Sequence, residues 1–303
     1  MIAASDLLEA RGCERGPALE AHRATGPESP DPKGQGSTAT SGRSDDRGGP
    51  TITADDPVEA RSGEGGHALK AHRATGPESP DPRGQKDSMA LILAVSSLKG
   101  GVGKSTIALN LATCLHGAGH RAILIDTDPQ GTCRMWAAKA AEVEREGPPV
   151  VAMDGKTLRR DLERVSKGFD VAVIDCPPRM GAETRAAMLA SDLVVMPVIP
   201  GAADVWALRE TIGVLDEARQ MREELRAVIV LNRADRTTLA KLALAALGEL
   251  DVEVLDTTLR NRVAYGEATL AGVGVVDYAP ASDAAFEVRR FTKAVLAAVR
   301  KVA

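Results

Sequence analysis

Eight consecutive residues, Lys99-Gly100-Gly101-Val102-Gly103-Lys104-Ser105-Thr106, restrict this chain more than any other part of it. They follow an apolar run, Leu91 to Val95, of the kind that forms a buried strand. They open a segment in which Ile107, Leu109, Leu111, Ala112 and Leu115 recur at helical spacing. Strand, glycine-rich turn and helix in that order make a cradle for phosphate. Glycine lets backbone N–H groups approach anionic oxygens with no Cβ in the way, and a helix N-terminus adds partial positive charge. Lys104 then falls against the outer phosphates of a nucleotide, and the Ser105 hydroxyl falls where Mg2+ is held in such loops. The ordinary P-loop has a glycine five positions before Gly103; here Leu98 stands there, and a second lysine, Lys99, follows it.

The character of the chain changes near residue 88. All seven aromatic residues (Trp136, Phe169, Trp206, Tyr265, Tyr278, Phe286 and Phe291) lie beyond that point, whereas 9 of the 17 prolines and 13 of the 29 glycines lie before it. A segment rich in Pro, Gly, Ser and charge, with no aromatics, buries too little apolar surface to offset its ordering entropy. Residues 1–88 are therefore expected to be a disordered leader. The leader also repeats itself: ALEAHRATGPESPDPKGQ at 18–35 returns as ALKAHRATGPESPDPRGQ at 68–85, with two of eighteen positions changed. Two copies without an apolar stacking face do not make a solenoid. Two readings stay open, a tethered arm carrying one motif twice, or translated upstream sequence with the natural start at Met89.

Residues 89–303 suffice for one domain. With 11 basic and 15 acidic residues in the leader, the remainder carries 27 of each and has no net charge. Overall charge thus gives no support to nucleic-acid binding, which would need a local patch. No run of 18 apolar residues exists to span a membrane, and Met1 to Ser5 is not followed by the apolar core of a secretory signal. Cys13, Cys114, Cys133 and Cys176 show no C-x-x-C spacing, which argues against zinc or cluster ligation and fits a reduced cytoplasmic protein.

Apolar runs at 91–97, 121–126, 149–153, 170–175, 192–198, 226–231 and 252–256 read as strands. Helical spacing reads at 104–117, 157–167, 181–190, 204–224, 238–249 and 282–301. Strands apolar on both faces and separated by helices predict an α/β fold, a mostly parallel twisted sheet covered on both sides. Ligands in such sheets bind beyond the carboxyl ends of the strands, where the other polar motifs fall. Asp126-Thr127-Asp128-Pro129-Gln130-Gly131 ends one strand, and two carboxylates beside a phosphate site call for a cation or a proton transfer. Val171-Ala172-Val173-Ile174-Asp175-Cys176-Pro177-Pro178 delivers one acid to a strand tip, the form of a Walker B segment that steadies Mg2+.

KGGVGKST, then DTDPQG, then VIDCPP resembles the ParA/MinD group of deviant-Walker ATPases, with the likeness running over 89–303. Without a helix-turn-helix extension, the chain looks most like the short ParA partition ATPases. The resemblance implies ATP and Mg2+ as ligands and a homodimer closed around ATP. It makes Lys99 the signature lysine that reaches the partner's phosphates, much as an arginine finger does. Lys104 with Gly100, Gly101, Val102, Gly103, Ser105 and Thr106 becomes the phosphate cradle. Asp128 becomes the residue that orients the attacking water, Asp126 and Asp175 with Ser105 the Mg2+ set, and Asn232-Arg233 the adenine contact. Many relatives carry Asn-Gln or Asn-Pro before the signature lysine; Ser97-Leu98 here removes a polar side chain from that place. Leu259 to Pro280 follows the family's C-terminal pattern only loosely.

Cargo-positioning members of the group hold DNA without sequence preference when dimeric, and a ParB-like or other cargo-bound activator stimulates hydrolysis. The resemblance thus implies a cytoplasmic, nucleoid-associated protein. Residues 259–303 hold seven basic residues against four acids, and Arg260, Arg262, Arg289, Arg290 and Lys293 are the candidate DNA contacts, with Arg260 and Arg262 as the first choice because they flank a turn near the strand ends. The plain alternative is a solvated helix face. A MinD-like membrane reading rests on Phe291, Val295, Leu296, Val299 and Val302 near one helical face, which packing against the sheet also explains. A metabolic enzyme on the same scaffold is the third reading.

Overall fold

The computed structural model describes residues 89–179, 181–235 and 237–300. The leader, its duplicated segment and Lys301 lie outside the described residues. In chain order the elements are β1 (Leu91–Val95), α1 (Lys104–Gly117), β2 (Ala122–Asp126), α2 (Thr132–Glu142), β3 (Val150–Ala152), α3 (Gly155–Ser166), β4 (Val171–Asp175) and α4 (Ala182–Ala190). There follow β5 (Leu193–Val198), α5 (Ala202–Arg219), β6 (Arg226–Leu231), α6 (Thr238–Leu247), β7 (Glu253–Thr258), α7 (Val263–Leu270), α8 (Val275–Tyr278) and α9 (Asp283–Arg300).

The strands form one sheet in the order β3-β2-β4-β1-β5-β6-β7, every pair parallel, as the strand composition predicts. Successive side chains along a strand face opposite ways, and here the two sets enter different cores. Leu93, Val95, Leu124, Val173, Val195 and Val230 join α1, α2 and α9 on one face. On the other, Ile92, Ile125 and Ile174 pack with α3 and α4, and Val194, Met196 and Ile229 pack with α5 and α6. Phe291 of α9 is among the largest fully buried side chains.

Chain order places β4 on one side of β1 and β5 on the other, so the crossover between them opens a crevice at the carboxyl end of β1. The register sets the depth of that crevice. Val95 pairs with Asp175, and Asp175 pairs with Asp126, so the glycine loop and both acidic motifs leave the sheet at one level.

Three helices were not expected from sequence. In α2 only Cys133, Trp136 and Ala140 are buried, a sparse pattern among small and charged residues. In α7 only Ala268 is fully buried, and α8 is a four-residue turn. β1 ends at Val95 rather than 97; the Ser96 N–H still donates to Val195 O at 3.0 Å before the chain turns into the glycine loop. β7 runs to Thr258 rather than 256, past a register shift opposite Ile229–Leu231 that carries Leu259–Arg262 to the crevice. No helix among the described residues is long and apolar enough to cross a membrane.

α3 and α4 touch backbone to backbone at Gly155, where an added Cβ would stand 2.8 Å from the Glu183 amide nitrogen and 2.9 Å from its Cα. Neither backbone can move aside cheaply. Gly155→Ala is expected to lower unfolding stability by roughly 1–3 kcal/mol, the usual range for overpacking, as read from urea denaturation.

Candidate nucleotide site

The loop after β1 has the conformation that only glycine adopts without strain. Gly101 and Gly103 have φ of 79° and 91°, and Gly103 is the residue from which α1 starts. An added Cβ at Gly103 would also run into the Asn232 side chain. The first N–H groups of α1 therefore open toward the crevice with no side-chain cap, the arrangement that receives an anion.

Two lysines of this loop have different surroundings. Lys104 is buried, and its ammonium donates to the Lys99 carbonyl at 3.0 Å, across the mouth of the loop. Burial pushes its pKa down, opposed by the negative charge of Asp175 and, more weakly, of Asp128. Lys99, by contrast, has a side chain about one-third exposed and an ion pair to Asp204 in the first turn of α5 at 2.8 Å.

Opposite the loop, β2 and β4 set Asp126 and Asp175 side by side. Asp126 is fully engaged: Oδ1 accepts from the Asp128 N–H at 3.1 Å, and Oδ2 accepts from the Arg134 N–H at 3.1 Å, with Arg134 Nε 3.5 Å away. The Arg134 guanidinium covers Gly131 and donates to the Pro129 carbonyl at 3.3 Å, which holds the Asp128-Pro129-Gln130 turn closed. Asp128 Oδ1 accepts from the Gln130 N–H at 3.0 Å. Asp175 is differently placed. Fully buried, it accepts on Oδ2 from the Cys133 thiol at 3.3 Å, and Oδ1 has no hydrogen-bond partner. Burial raises its pKa to about 7, against the nearby Ser105 hydroxyl and Cys133 thiol, with the Asp126 charge adding to the rise. Burial, then the charges of Asp175 and Asp126, push the Cys133 thiol far up, so it stays protonated and donates.

On the far side of the loop, Asn232 follows β6, where its N–H donates to Val198 O at 2.8 Å and Nδ2 donates to Val102 O at 2.7 Å. Arg233 follows with φ of 50°. A cleft of about 590 Å³ opens here, walled by Gly103, Thr106, Asn110, Asn232, Arg260 and Tyr265 among others. Arg262 lines it too. The candidate DNA contacts Arg260 and Arg262 thus border the nucleotide crevice, and both are drawn to Glu287: the Arg260 N–H donates to it at 3.1 Å and Arg262 Nη2 at 2.7 Å. Arg289 donates to Pro280 O and Arg290 to Asp256 O, while Lys293 is exposed on α9.

The structure thus brings Gly100–Thr106, Asp126, Asp128, Asp175 and Asn232 to one crevice and turns Lys99 outward along its rim. It does not gather the five basic residues into an acid-free patch; Arg260, Arg262 and Arg290 share a hollow with Asp256, Asp283 and Glu287. Sequence reasoning passed over Cys133, Arg134 and Asp204. The first two stand just past Gly131, where a motif reading could have found them. Asp204 carries no local mark, since its contact with Lys99 spans the β1–β5 crossover.

A left-handed glycine loop at a helix start, a buried cis lysine and a buried carboxylate with one free oxygen fit a nucleotide with Mg2+; Ser105 and Asp175 would hold the metal. Fold and site together define a P-loop nucleotide-binding protein. Residues 93–275 match the CobQ/CobB/MinD/ParA nucleotide binding domain, and the chain belongs to that family as a ParA/MinD-type ATPase. It is 35% identical over 188 residues to maintenance of carboxysome distribution protein A of Halothiobacillus neapolitanus, covering 61% of this chain and 87% of that one. It is 28% identical over 240 residues to the sporulation initiation inhibitor protein Soj of Bacillus subtilis, covering 64% and 93%. The septum site-determining protein MinD of Pyrococcus horikoshii, solved with Mg-ADP, shares the fold with a TM-score of 0.56 at 21% identity, over 71% of this chain and all of that one.

The raised Asp175 carboxyl gives a pH test. Below about 7 it holds a proton that a Mg2+ ion bound there would have to displace; above, it is already ionised. The Mg2+ concentration that half-saturates binding of a fluorescent ADP analogue is expected to be about tenfold higher at pH 6 than at pH 8. The analogue's own terminal phosphate also titrates at about 6, so the change is taken relative to Mg2+ binding by the free analogue; an ordinary aspartate would add nothing to it.

Proposed function

We propose that this chain is a ParA-type positioning ATPase that closes as a homodimer around ATP, holds DNA without sequence preference while closed, and moves a cargo. The observation that carries this reading is the division between the two loop lysines. Lys104 serves the cradle of its own chain from a buried position, so a second cation beside it is redundant in cis. Lys99 stands on the rim, partly exposed and held by a carboxylate of its own α5. A lysine there is available to the phosphates of a second copy, and leaving Asp204 for them exchanges one ion pair for another.

The remaining roles follow from placement. Lys104 and the amides of Gly100–Thr106 bind the phosphates, and Asn232 with Arg233 meets the adenine across the same crevice. Asp128, in a turn closed by Gln130 and Arg134, orients the attacking water. Asp126, with both oxygens engaged, supports the metal site by holding that turn, while Ser105 and Asp175 take Mg2+, which supplies charge neutralisation at the transferring phosphoryl group.

The relative named for carboxysome distribution supports a positioning role, with a protein assembly, a plasmid or a chromosome origin as cargo. A ParB-like or other cargo-bound protein is the expected activator, and the nucleoid the expected location. The C-terminal helix supports DNA over membrane: Phe291, Val295 and Leu296 are buried against the sheet, while Arg290 and Lys293 are exposed. The latter two, with Arg289, are the preferred DNA contacts, because Arg260 and Arg262 border the nucleotide crevice.

The lysines are expected to fail differently. Lys104→Ala abolishes nucleotide binding, whereas Lys99→Ala binds a fluorescent ATP analogue normally but gives no ATP-dependent dimer in size-exclusion chromatography with light scattering. Equal loss of nucleotide affinity in both variants would remove the trans role of Lys99.

Random-sequence duplex DNA is expected to bind only with ATP and Mg2+, with an affinity that falls steeply with salt. The double variant Arg290→Glu/Lys293→Glu should weaken that binding at least tenfold, each lost phosphate contact adding to the electrostatic term, and leave the dimer intact. Flotation with anionic vesicles runs in parallel. ATP-dependent vesicle binding without DNA binding would assign the chain to the membrane branch, and binding to neither surface would favour a metabolic enzyme.

A further inference from the structure

The strand register sets two carboxylates side by side at the Mg2+ end of the crevice, and their hydrogen bonds are not alike. Both Asp126 oxygens are taken, by the Asp128 and Arg134 N–H groups. Asp175, fully buried, has one oxygen taken and one without a partner. The taken oxygen, Oδ2, accepts from Cys133 Sγ at 3.3 Å. Cys133 itself is fully buried at the second residue of α2, and the Trp136 indole N–H, donating to Val273 O at 3.2 Å, ties that helix to the rest of the domain.

We propose that Cys133 is a positioning residue for the metal site: its thiol pins Asp175 Oδ2 and so leaves Oδ1 as the oxygen offered to Mg2+. The chemistry of the donor matters. An arginine or lysine in this place would hold the carboxylate equally well but would cancel the charge that a divalent cation needs. The amides of Asp128, Gln130 and Arg134 in the β2–α2 turn are already committed to Asp126 and Asp128. A thiol supplies one weak neutral donor and no charge. It fixes the rotation of the carboxylate about its Cβ–Cγ bond and leaves its affinity for a cation intact. Neighbours of metal-bound groups that act this way typically change metal affinity 10–100-fold when removed.

This inference rests on the reading of Asp175 as the Mg2+ acid, and the test separates the two. Binding of a fluorescent ADP analogue is measured against Mg2+ concentration for the full chain and for Cys133→Ser, Cys133→Ala, Cys133→Val and Asp175→Asn, with thermal melts of each. Serine keeps a donor, valine keeps apolar volume without one, and alanine keeps neither. The expected result is that valine and alanine raise the half-saturating Mg2+ about tenfold, that serine stays within about twofold of the parent, and that nucleotide affinity without Mg2+ is the same in all four. A valine variant that matches the parent, with Asp175→Asn impaired, would show that Cys133 only fills space and would overturn the proposal while sparing Asp175. A serine variant as impaired as alanine would overturn it as well, since the donor would then not be what matters. If Asp175→Asn leaves the Mg2+ dependence unchanged, the metal reading of Asp175 fails and the role of Cys133 falls with it.

Discussion

The buried carboxylate of Asp175 is the constraint around which the crevice is arranged. Taking a carboxylate wholly out of water is costly unless charge or hydrogen bonds compensate. Here compensation is partial: the Ser105 hydroxyl nearby, a thiol on one oxygen, no hydrogen-bond partner for the other, and the more weakly felt charge of the Lys104 ammonium. Lys104 is in turn buried and pushed toward neutrality by the same low-dielectric surroundings. The charge of each favours the charged form of the other, and burial outweighs that help on both sides. A polyphosphate with a divalent cation would supply both, an anion beside the lysine and a cation beside the aspartate.

The same economy explains why the two acids divide their work. Asp126 organises protein; its oxygens hold the turn that carries Asp128 and the start of α2. Asp175 is left available to a ligand. The parallel register of β1, β4 and β2 makes this division possible, because it brings Val95, Asp175 and Asp126 to one level. Two strand ends one residue out of step would turn one of these carboxylates to the opposite face of the sheet.

Lys99 and Lys104 show how position outweighs identity. Separated by the glycine turn, one is folded into the crevice and the other paired with Asp204 on its rim. A buried cation committed to its own chain and a partly exposed one held by a single exchangeable ion pair suit different partners. The C-terminal helix shows a similar division, its apolar face buried against the sheet and its charged residues outward or tied to the loop after β7.

Much was legible in the sequence. The glycine loop, the strand-end acids and the Val/Ile/Leu runs determined a parallel sheet with a phosphate cradle at its carboxyl edge, because each depends on local chemistry: φ freedom at glycine, period-two burial along strands, helical spacing after Lys104. The helices α2 and α7 were not legible, since they bury few side chains, and an amphipathic signal scales with the apolar face a helix presents. Nor was the fate of particular charges. Composition counted Arg260 and Arg262 toward a basic surface, and only folding brought Glu287, 27 and 25 residues away, onto both. Asp204 reached Lys99 across the crossover between β1 and β5, and Cys133 reached Asp175 from 42 residues away. Local chemistry along the chain was enough to specify a backbone that cradles a phosphate. Which side chains were left free to act on it was decided by the tertiary structure, because a charge is silenced or exposed by what packs beside it, and those neighbours come from distant parts of the chain.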